Sequence, residues 1–286
     1  MAHYAYRLLN VFADSTFSGN PLCVFEDGTG LSDGTMLNLA RQFNLSETVF
    51  LLPAADADAA LRIFTPTGEL PFAGHPSIGS AHVVRQRIKR DSVTLSTKAG
   101  RVPLSFDASR WTLAAPRTAA QALVRPCAIS VTALCDMLNL DESDIAADPL
   151  WFDMGSEQLL FPLRSVEALQ KARPSAGFAE QWPANGLGRK NVFLFAIGKR
   201  ENGGDTVRAR YFFKSANGIG EDPGTGSACI NLGAWFTQVM PIARQVEVTQ
   251  GVEIGRPCRI LLDVSAQGDI HIGGSVIELG GGHIDL

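Results

Sequence analysis

Glu47, His75 and Asp222 are the side chains of this sequence best suited to moving a proton, and two of them sit in a repeated segment. Glu69-Leu70-Pro71-Phe72-Ala73-Gly74-His75 and Glu221-Asp222-Pro223-Gly224-Thr225-Gly226-Ser227 share their Glu, Pro and Gly spacing and lie 152 residues apart. Each follows a strand-like run and opens a helix. The start of a helix presents N–H groups without intrahelical acceptors and a partial positive charge, so a tight Gly-containing turn there can bind a carboxylate or phosphate. The same glycines would equally serve a plain strand-to-helix turn.

Each candidate has a bland reading beside the chemical one. Glu47 is flanked by Leu45, Val49, Phe50 and Leu51, and an apolar pocket would raise its pKa toward the working pH; the alternative is an exposed turn carboxylate. His75 is either a proton-transfer group or a histidine bonding locally at the helix start. Asp222 is either a site carboxylate or a helix cap. Glu69 and Glu221, being duplicated, read as turn or dipole-complementing residues.

Other chemistries fit poorly. Gly218-x-Gly220 lacks the third glycine of a dinucleotide site, and no Walker-type lysine follows a Gly-rich loop. Thr225-Gly226-Ser227 is not framed as a nucleophile elbow. Gly280-Gly281-Gly282 reads as a flexible tail turn.

The elements around these residues alternate between strands and few helices. Strands are expected at Tyr4–Val11, Pro21–Phe25 (after a turn at Gly19-Asn20), Thr48–Leu52, Ala60–Phe64, Ser92–Ser96, Arg101–Phe106 and Trp111–Ala114. In the second half they are expected at Leu159–Leu163, Val192–Ile197, Val207–Phe213, Gln245–Thr249, Arg259–Val264 and Ile270–Gly273. Ser32-Asp33 caps a helix over Thr35–Phe43 that Asn44 ends. The helices opening at Gly74 and Gly226 are small or apolar on nearly every side, so they are expected to be buried. Their internal glycines, each costing about 1 kcal/mol against alanine, suggest that another backbone passes close by. The pattern predicts an α+β fold of two pseudo-symmetric domains, each a curled, mostly antiparallel sheet around a central helix. With the Pro/Ala-rich stretch 114–126 as linker, the division is 1–115, completed by the tail 275–286, and 116–274.

Bulk properties narrow the function. The chain has 286 residues, 45% hydrophobic and 19% charged, enough for two real cores. Its net charge of -4 offers no basic footprint, so no nucleic-acid partner is expected. The N-terminus lacks the pattern of a signal peptide, and no run approaches the roughly 18 apolar residues of a membrane span. A cytoplasmic protein with no membrane partner is expected. The five cysteines are widely spaced, without Cys-x-x-Cys or clustered histidines, so reduced thiols and no metal are expected.

Taken in order, 11-VFADSTFSGNPLCVF-25, 44-NLSETVFL-51, 62-RIFTPTGELPFAGHPSIGSAHV-83, 219-IGEDPGTGSACINLGAW-235 and 250-QGVEIGRP-257 resemble the PhzF-like phenazine-biosynthesis proteins, which share the diaminopimelate epimerase fold. The resemblance covers nearly the whole chain. It implies a site in a cleft between paired domains, a homodimer, no cofactor, and a small carboxylate substrate such as a cyclic amino acid. It also implies that Glu47, in the Ser46-Glu47 dipeptide, takes a proton from one carbon and returns it at another, moving a double bond. By the same resemblance His75 assists polarisation or proton relay, Asp222 meets the amine, and Ser46, Gly74, Gly226 and Ser227 help hold the substrate. Alternatives are a racemase with a non-cysteine base pair and a non-catalytic small-molecule-binding member. Diaminopimelate epimerases place cysteines where this sequence has Ala73 and Thr225, so a two-thiol mechanism is excluded. Replacing both (Ala73→Cys with Thr225→Cys) is expected to yield no epimerase activity in a coupled stereochemical assay, and a gain would show that the thiols alone suffice.

Overall fold

The computed structural model describes residues 1–199, 205–215, 218–239 and 244–286. The chain forms two compact units, Met1–Ala114 with Gly273–Leu286, and Ala115–Ile272. The strands expected from the sequence are present, lengthened at most by one or two residues at their ends. No helix among the described residues is long and apolar enough to cross a membrane.

The first unit runs β1 (His3–Val11), β2 (Asn20–Phe25), α1 (Asp33–Phe43), β3 (Glu47–Leu52), β4 (Ala59–Thr65), β5 (Gly68–Leu70), α2 (Gly74–Ile88), β6 (Ser92–Thr97), β7 (Gly100–Asp107) and β8 (Arg110–Ala114). Ser32 caps α1 by accepting from the Thr35 N–H, and Asn44 ends it in the left-handed region at φ 51°. The C-terminal strand Val276–Asp285 joins the sheet antiparallel to β1, whose other neighbour is β2. From β2 the order is β3, β4, β6, β7, β8, with β2–β3 and β4–β6 parallel and the other pairs antiparallel. The strand β5 folds back on β4 as a hairpin.

This sheet curls around α2, which packs against every strand of the unit but β5. The first turns of the helix have no polar face: residues Gly74 to Ala81, Val83 and Val84 are all buried, and the charged side chains Arg85 and Arg87 come only in the last turn. Gly79 fits because a Cβ there would lie 2.4 Å from Leu22 Cδ2 and 3.1 Å from Val11 Cγ2. The close neighbours are therefore side chains of the enclosing sheet, and the expected backbone approach is not what the glycine serves.

The second unit runs β9 (Leu123–Pro126), α3 (Val131–Leu138), β10 (Leu150–Asp153), β11 (Glu157–Leu163), α4 (Val166–Lys171), β12 (Asn191–Lys199), β13 (Asp205–Ser215), β14 (Gly218–Asp222), α5 (Gly226–Val239), β15 (Arg244–Gln250), β16 (Cys258–Val264) and β17 (Ile270–Gly274), where the boundary falls. The stretch read as a linker thus contains a strand. The pairing order β9, β10, β11, β12, β13, β15, β16 repeats the first unit's pattern, with β11–β12 and β13–β15 parallel and β14 folded back on β13. The buried helix at its centre is α5. Gly233 again makes room for side chains: a Cβ would lie 2.8 Å from Ile270 Cγ2.

The duplication reaches atomic detail at the two hairpins. Phe64 pairs with Glu69 across β4–β5, and Phe212 with Glu221 across β13–β14. Two residues before each Phe stands an Arg that grips that Glu with both arms: Arg62 at 2.5 and 2.9 Å, Arg210 at 3.0 and 2.8 Å. Each guanidinium also lies over its Phe ring, at 5.2 Å for Arg62 and 4.6 Å for Arg210. The repeated glutamates are hairpin braces, which keeps the turn half of their reading as turn or dipole-complementing residues and replaces the dipole half. Gly280-Gly281-Gly282 is likewise corrected from a tail turn: it lies in the C-terminal strand, where a Cβ on Gly281 would fall 2.4 Å from the Tyr6 carbonyl oxygen.

The two braces differ in burial, which sets their energetic weight. Arg210 and Glu221 are 6% and 9% exposed, and Arg210 also donates to the carbonyls of Leu169 and Ala172, whereas Arg62 is 20% exposed. Arg210→Ala strands a buried carboxylate and two carbonyls and is expected to cost about 3–5 kcal/mol. Arg62→Ala is expected to cost about 1 kcal/mol. Urea denaturation of the two variants checks this, and equal losses would contradict the burial argument.

Candidate active site

In the first unit three chain segments converge on one point. The parallel pairing of β2 with β3 sets Leu22 beside Glu47, so the starts of both strands lie together. Glu47 is the first residue of β3, directly after Ser46, and its side chain is 15% exposed. The exposed-turn reading of this carboxylate does not hold. From α2, His75 brings Nε2 to 3.3 Å from Glu47 Oε2, and its Nδ1 lies 3.3 Å from the Asn20 side-chain nitrogen.

His75 is buried, and burial pushes its pKa down to about 3, with the Pro21 carbonyl acting the other way. The imidazole is therefore neutral at ordinary pH, and its meeting with Glu47 is a contact of a carboxylate with a neutral ring rather than an ion pair. At 3.3 Å it is long for a formed hydrogen bond. The helix start beside it has Ala73 as its N-cap, with no side-chain cap hydrogen bond. The backbone N–H groups of Gly74 and His75 thus open a helix whose cap residue offers them no acceptor, an arrangement that suits an anionic ligand.

In the second unit Asp222 ends β14 and accepts from Thr225 Oγ1 at 2.5 Å. Gln250, fully buried at the end of β15, ties this turn together. Its Nε2 donates to the Asp222 carbonyl at 2.8 Å and to Thr225 Oγ1 at 3.0 Å, while its Oε1 accepts from the Thr225 N–H at 3.1 Å. Gly251 lets the chain press against the turn, since a Cβ there would lie 2.6 Å from the Pro223 carbonyl oxygen. Gly226 and Ser227 then open α5, and Ser227 Oγ accepts from Gln158 Nε2 at 3.0 Å.

The structure thus groups Ser46, Glu47, Gly74 and His75 in one unit, and Asp222, Gly226 and Ser227 in the other. Thr225, at the second epimerase cysteine position, is engaged with Asp222. Cys229, one turn into α5, is buried and its thiol is pushed well up by burial, so it is no base. Sequence reasoning missed the amides that hold these groups: Asn20, placed in a turn but found fully buried in β2, and Gln158 and Gln250. Their signal was faint: Asn20 and Gln250 stand in quoted motifs, but no spacing marks an amide as a brace. Among the described residues, one His/carboxylate cluster has metal-like spacing, His3, His283 and Asp285. Strand pairing assembles it where the sequence showed no clustered histidines. It is exposed, and His3 Nδ1 and Asp285 already satisfy each other at 2.8 Å.

The profile of the phenazine biosynthesis-like proteins (PhzC-PhzF) matches residues 9–279. The chain belongs to this family. It is 38% identical over 284 residues to an uncharacterized isomerase of Pasteurella multocida, covering 98% of this chain and 94% of that one. It is 33% identical over 274 residues to the trans-2,3-dihydro-3-hydroxyanthranilate isomerase of Pseudomonas aeruginosa, covering 93% and 92%. Its fold is that of the Bacillus anthracis PhzF-family protein, at TM-score 0.87 and 21% identity over the full length of both chains. The protein is accordingly a PhzF-like enzyme of the isomerase class.

Burial of His75 also shapes stability against pH. His82, half-buried on the same helix, is shifted in the same direction, mainly by desolvation. The unfolded imidazoles take up protons below about pH 6.5 that the folded ones refuse, so stability is full above that pH and falls as pH drops toward the folded value. From pH 7.0 to 5.5, before most carboxylates titrate, His75 alone is expected to cost about 1 kcal/mol. Chemical denaturation at both pH values should show this loss in the native protein and a smaller one in His75→Asn. An unchanged difference would contradict the assignment.

Proposed function

We propose that this PhzF-like protein is a cofactor-independent isomerase that moves a proton between two carbons of a small cyclic amino acid carboxylate, with Glu47 as the one acid/base group. The observation that carries this reading is the Glu47 carboxylate, mostly buried, 3.3 Å from a neutral imidazole and beside a helix start whose cap residue makes no side-chain hydrogen bond to its N–H groups. Glu47 removes a proton from an activated carbon, the electron pair shifts along the conjugated system, and the same carboxyl returns the proton at the far carbon. One group suffices when both carbons lie on one face of the substrate.

His75 serves this step as a neutral hydrogen-bonding partner rather than a proton reservoir, because its enclosed ring resists protonation. The N–H groups of Gly74 and His75, with Ser46, Gly226 and Ser227, are proposed to hold the substrate's carboxylate and oxygens, and Asp222 its amine. The relatives named trans-2,3-dihydro-3-hydroxyanthranilate isomerases make that compound the first to assay. Ala73, Thr225 and the inert Cys229 speak against a thiol-based epimerase.

In deuterated water, turnover of trans-2,3-dihydro-3-hydroxyanthranilate is expected to place deuterium on a product carbon. Glu47→Gln is expected to lower kcat by about a thousandfold or more while leaving the dissociation constant for the unreactive analogue 2-aminobenzoate within about threefold. Substantial activity in that variant would remove Glu47 from the mechanism.

A further inference from the structure

The two central helices carry a polar side chain at the same place, the second residue: His75 in α2 and Ser227 in α5. Each is met by an amide from the equivalent strand of its own unit, Asn20 of β2 and Gln158 of β11. In the second unit the direction of every hydrogen bond leading to Ser227 can be settled atom by atom.

Backbone groups have fixed roles in hydrogen bonds. The Met154 N–H can only donate, and it donates to Asn231 Oδ1 at 2.9 Å. The carbonyls of Phe152 and Ser156 can only accept, and they accept from Asn231 Nδ2 at 2.9 and 2.8 Å. Both ends of the Asn231 amide therefore agree on its orientation. Its Nδ2 also faces Gln158 Oε1, so that two hydrogens are shared among three acceptors; a second amide nitrogen in that place would put donor against donor, which turns Gln158 Nε2 the other way. The hydrogens of that nitrogen go to Ser156 Oγ at 2.9 Å and Ser227 Oγ at 3.0 Å.

Ser227 Oγ thus accepts from Gln158, and its own O–H points elsewhere. The contrast is Ser77 on α2, whose hydroxyl gives its proton to the Ala73 carbonyl of its own helix at 2.8 Å. Gln158 is 2% exposed and Asn231 fully buried, while Ser227 is half-buried and reachable. Two amides in a core are costly unless fully bonded, and this pair is bonded throughout.

We propose that Gln158 and Asn231 are positioning residues that hold Ser227 Oγ as the acceptor of a Gln158 hydrogen, so that the serine's own hydrogen is directed to an acceptor oxygen of the substrate, of a carboxylate or an enolate. The inference rests on the reading of Ser227 as a substrate-binding residue. It adds a direction to that reading: the hydrogen that Ser227 offers goes to a substrate oxygen, and the charge partner of a ligand amine is the Asp222 carboxylate.

Joint neutron and X-ray diffraction of the deuterium-exchanged protein tests the hydrogen-bond direction without any substrate. A deuteron on Gln158 Nε2 directed at Ser227 Oγ, with the serine deuteron directed away, is the expected result. A serine deuteron lying between Ser227 Oγ and Gln158 would overturn the proposal. Kinetics with trans-2,3-dihydro-3-hydroxyanthranilate test its consequence. Gln158→Glu replaces the donor by an acceptor that draws the serine proton inward, and should raise KM about tenfold or more with kcat little changed. Ser227→Ala should lose about as much, and adding Gln158→Glu to it should cost nothing further. An equal additional loss in the Ser227→Ala background would mark Gln158 as merely structural. If Ser227→Ala alone left KM unchanged, the binding role beneath the proposal would fail, while the neutron map would still decide the relay.

Discussion

A helix that is apolar on every side has to be covered on every side, and the rest of this structure follows from meeting that demand twice. A flat sheet hides one face of a helix. Enclosing α2 takes a sheet that curls until strands on opposite edges both reach the helix, and the parallel junctions β2–β3 and β4–β6 are where the chain crosses over to make that possible. The flanks of such a helix are closed to solvent, so its polar ends become the places where backbone groups can meet a ligand. The proposed site at the start of α2 is thus in keeping with how the core is built, and Glu47 gains its position because β3 starts beside that end.

The repeat shows how one frame can carry two chemistries. The Arg–Glu brace and the returning strand hold each hairpin against its sheet, and neither depends on the residues that differ between the copies. Leu70 corresponds to Asp222 in the repeat, Ala73 to Thr225, and His75 to Ser227. The first copy has come to hold a neutral ring beside a carboxylate. The second holds a carboxylate gripped by a threonine, and a serine supplied by amides. What is common to both is mechanical, and what is particular sits at positions where the backbone is already fixed.

Much of this was legible in the sequence because it is local. β-branched and aromatic runs marked most strands, Ser32 and Asn44 marked the ends of α1, and the lack of a polar face on the helices after Gly74 and Gly226 announced their burial. The family was legible from motifs in order, and with it Glu47 as a candidate. The rest depends on contacts between distant residues. Glycines have poor strand propensity, so Gly280 to Gly282 looked like a flexible turn until the strand beside Tyr6 explained why side chains are excluded there. The bracing amides were hidden for a similar reason. Gln158, Asn231 and Gln250 have no periodicity and no characteristic neighbours, and their meaning lies entirely in which atoms they face.

The pairing of β1 with the C-terminal strand bears on how the protein is made. The second unit is one continuous stretch of chain, whereas the first lacks a strand until Val276–Asp285 has been synthesised. On the ribosome, β1 therefore spends most of translation as an unpaired edge, open to wrong partners. Closing so long a loop is slow beside local folding. The order of assembly is thereby set: the later-made half can finish first, and the half that carries Glu47 is completed only once Val276–Asp285 has emerged.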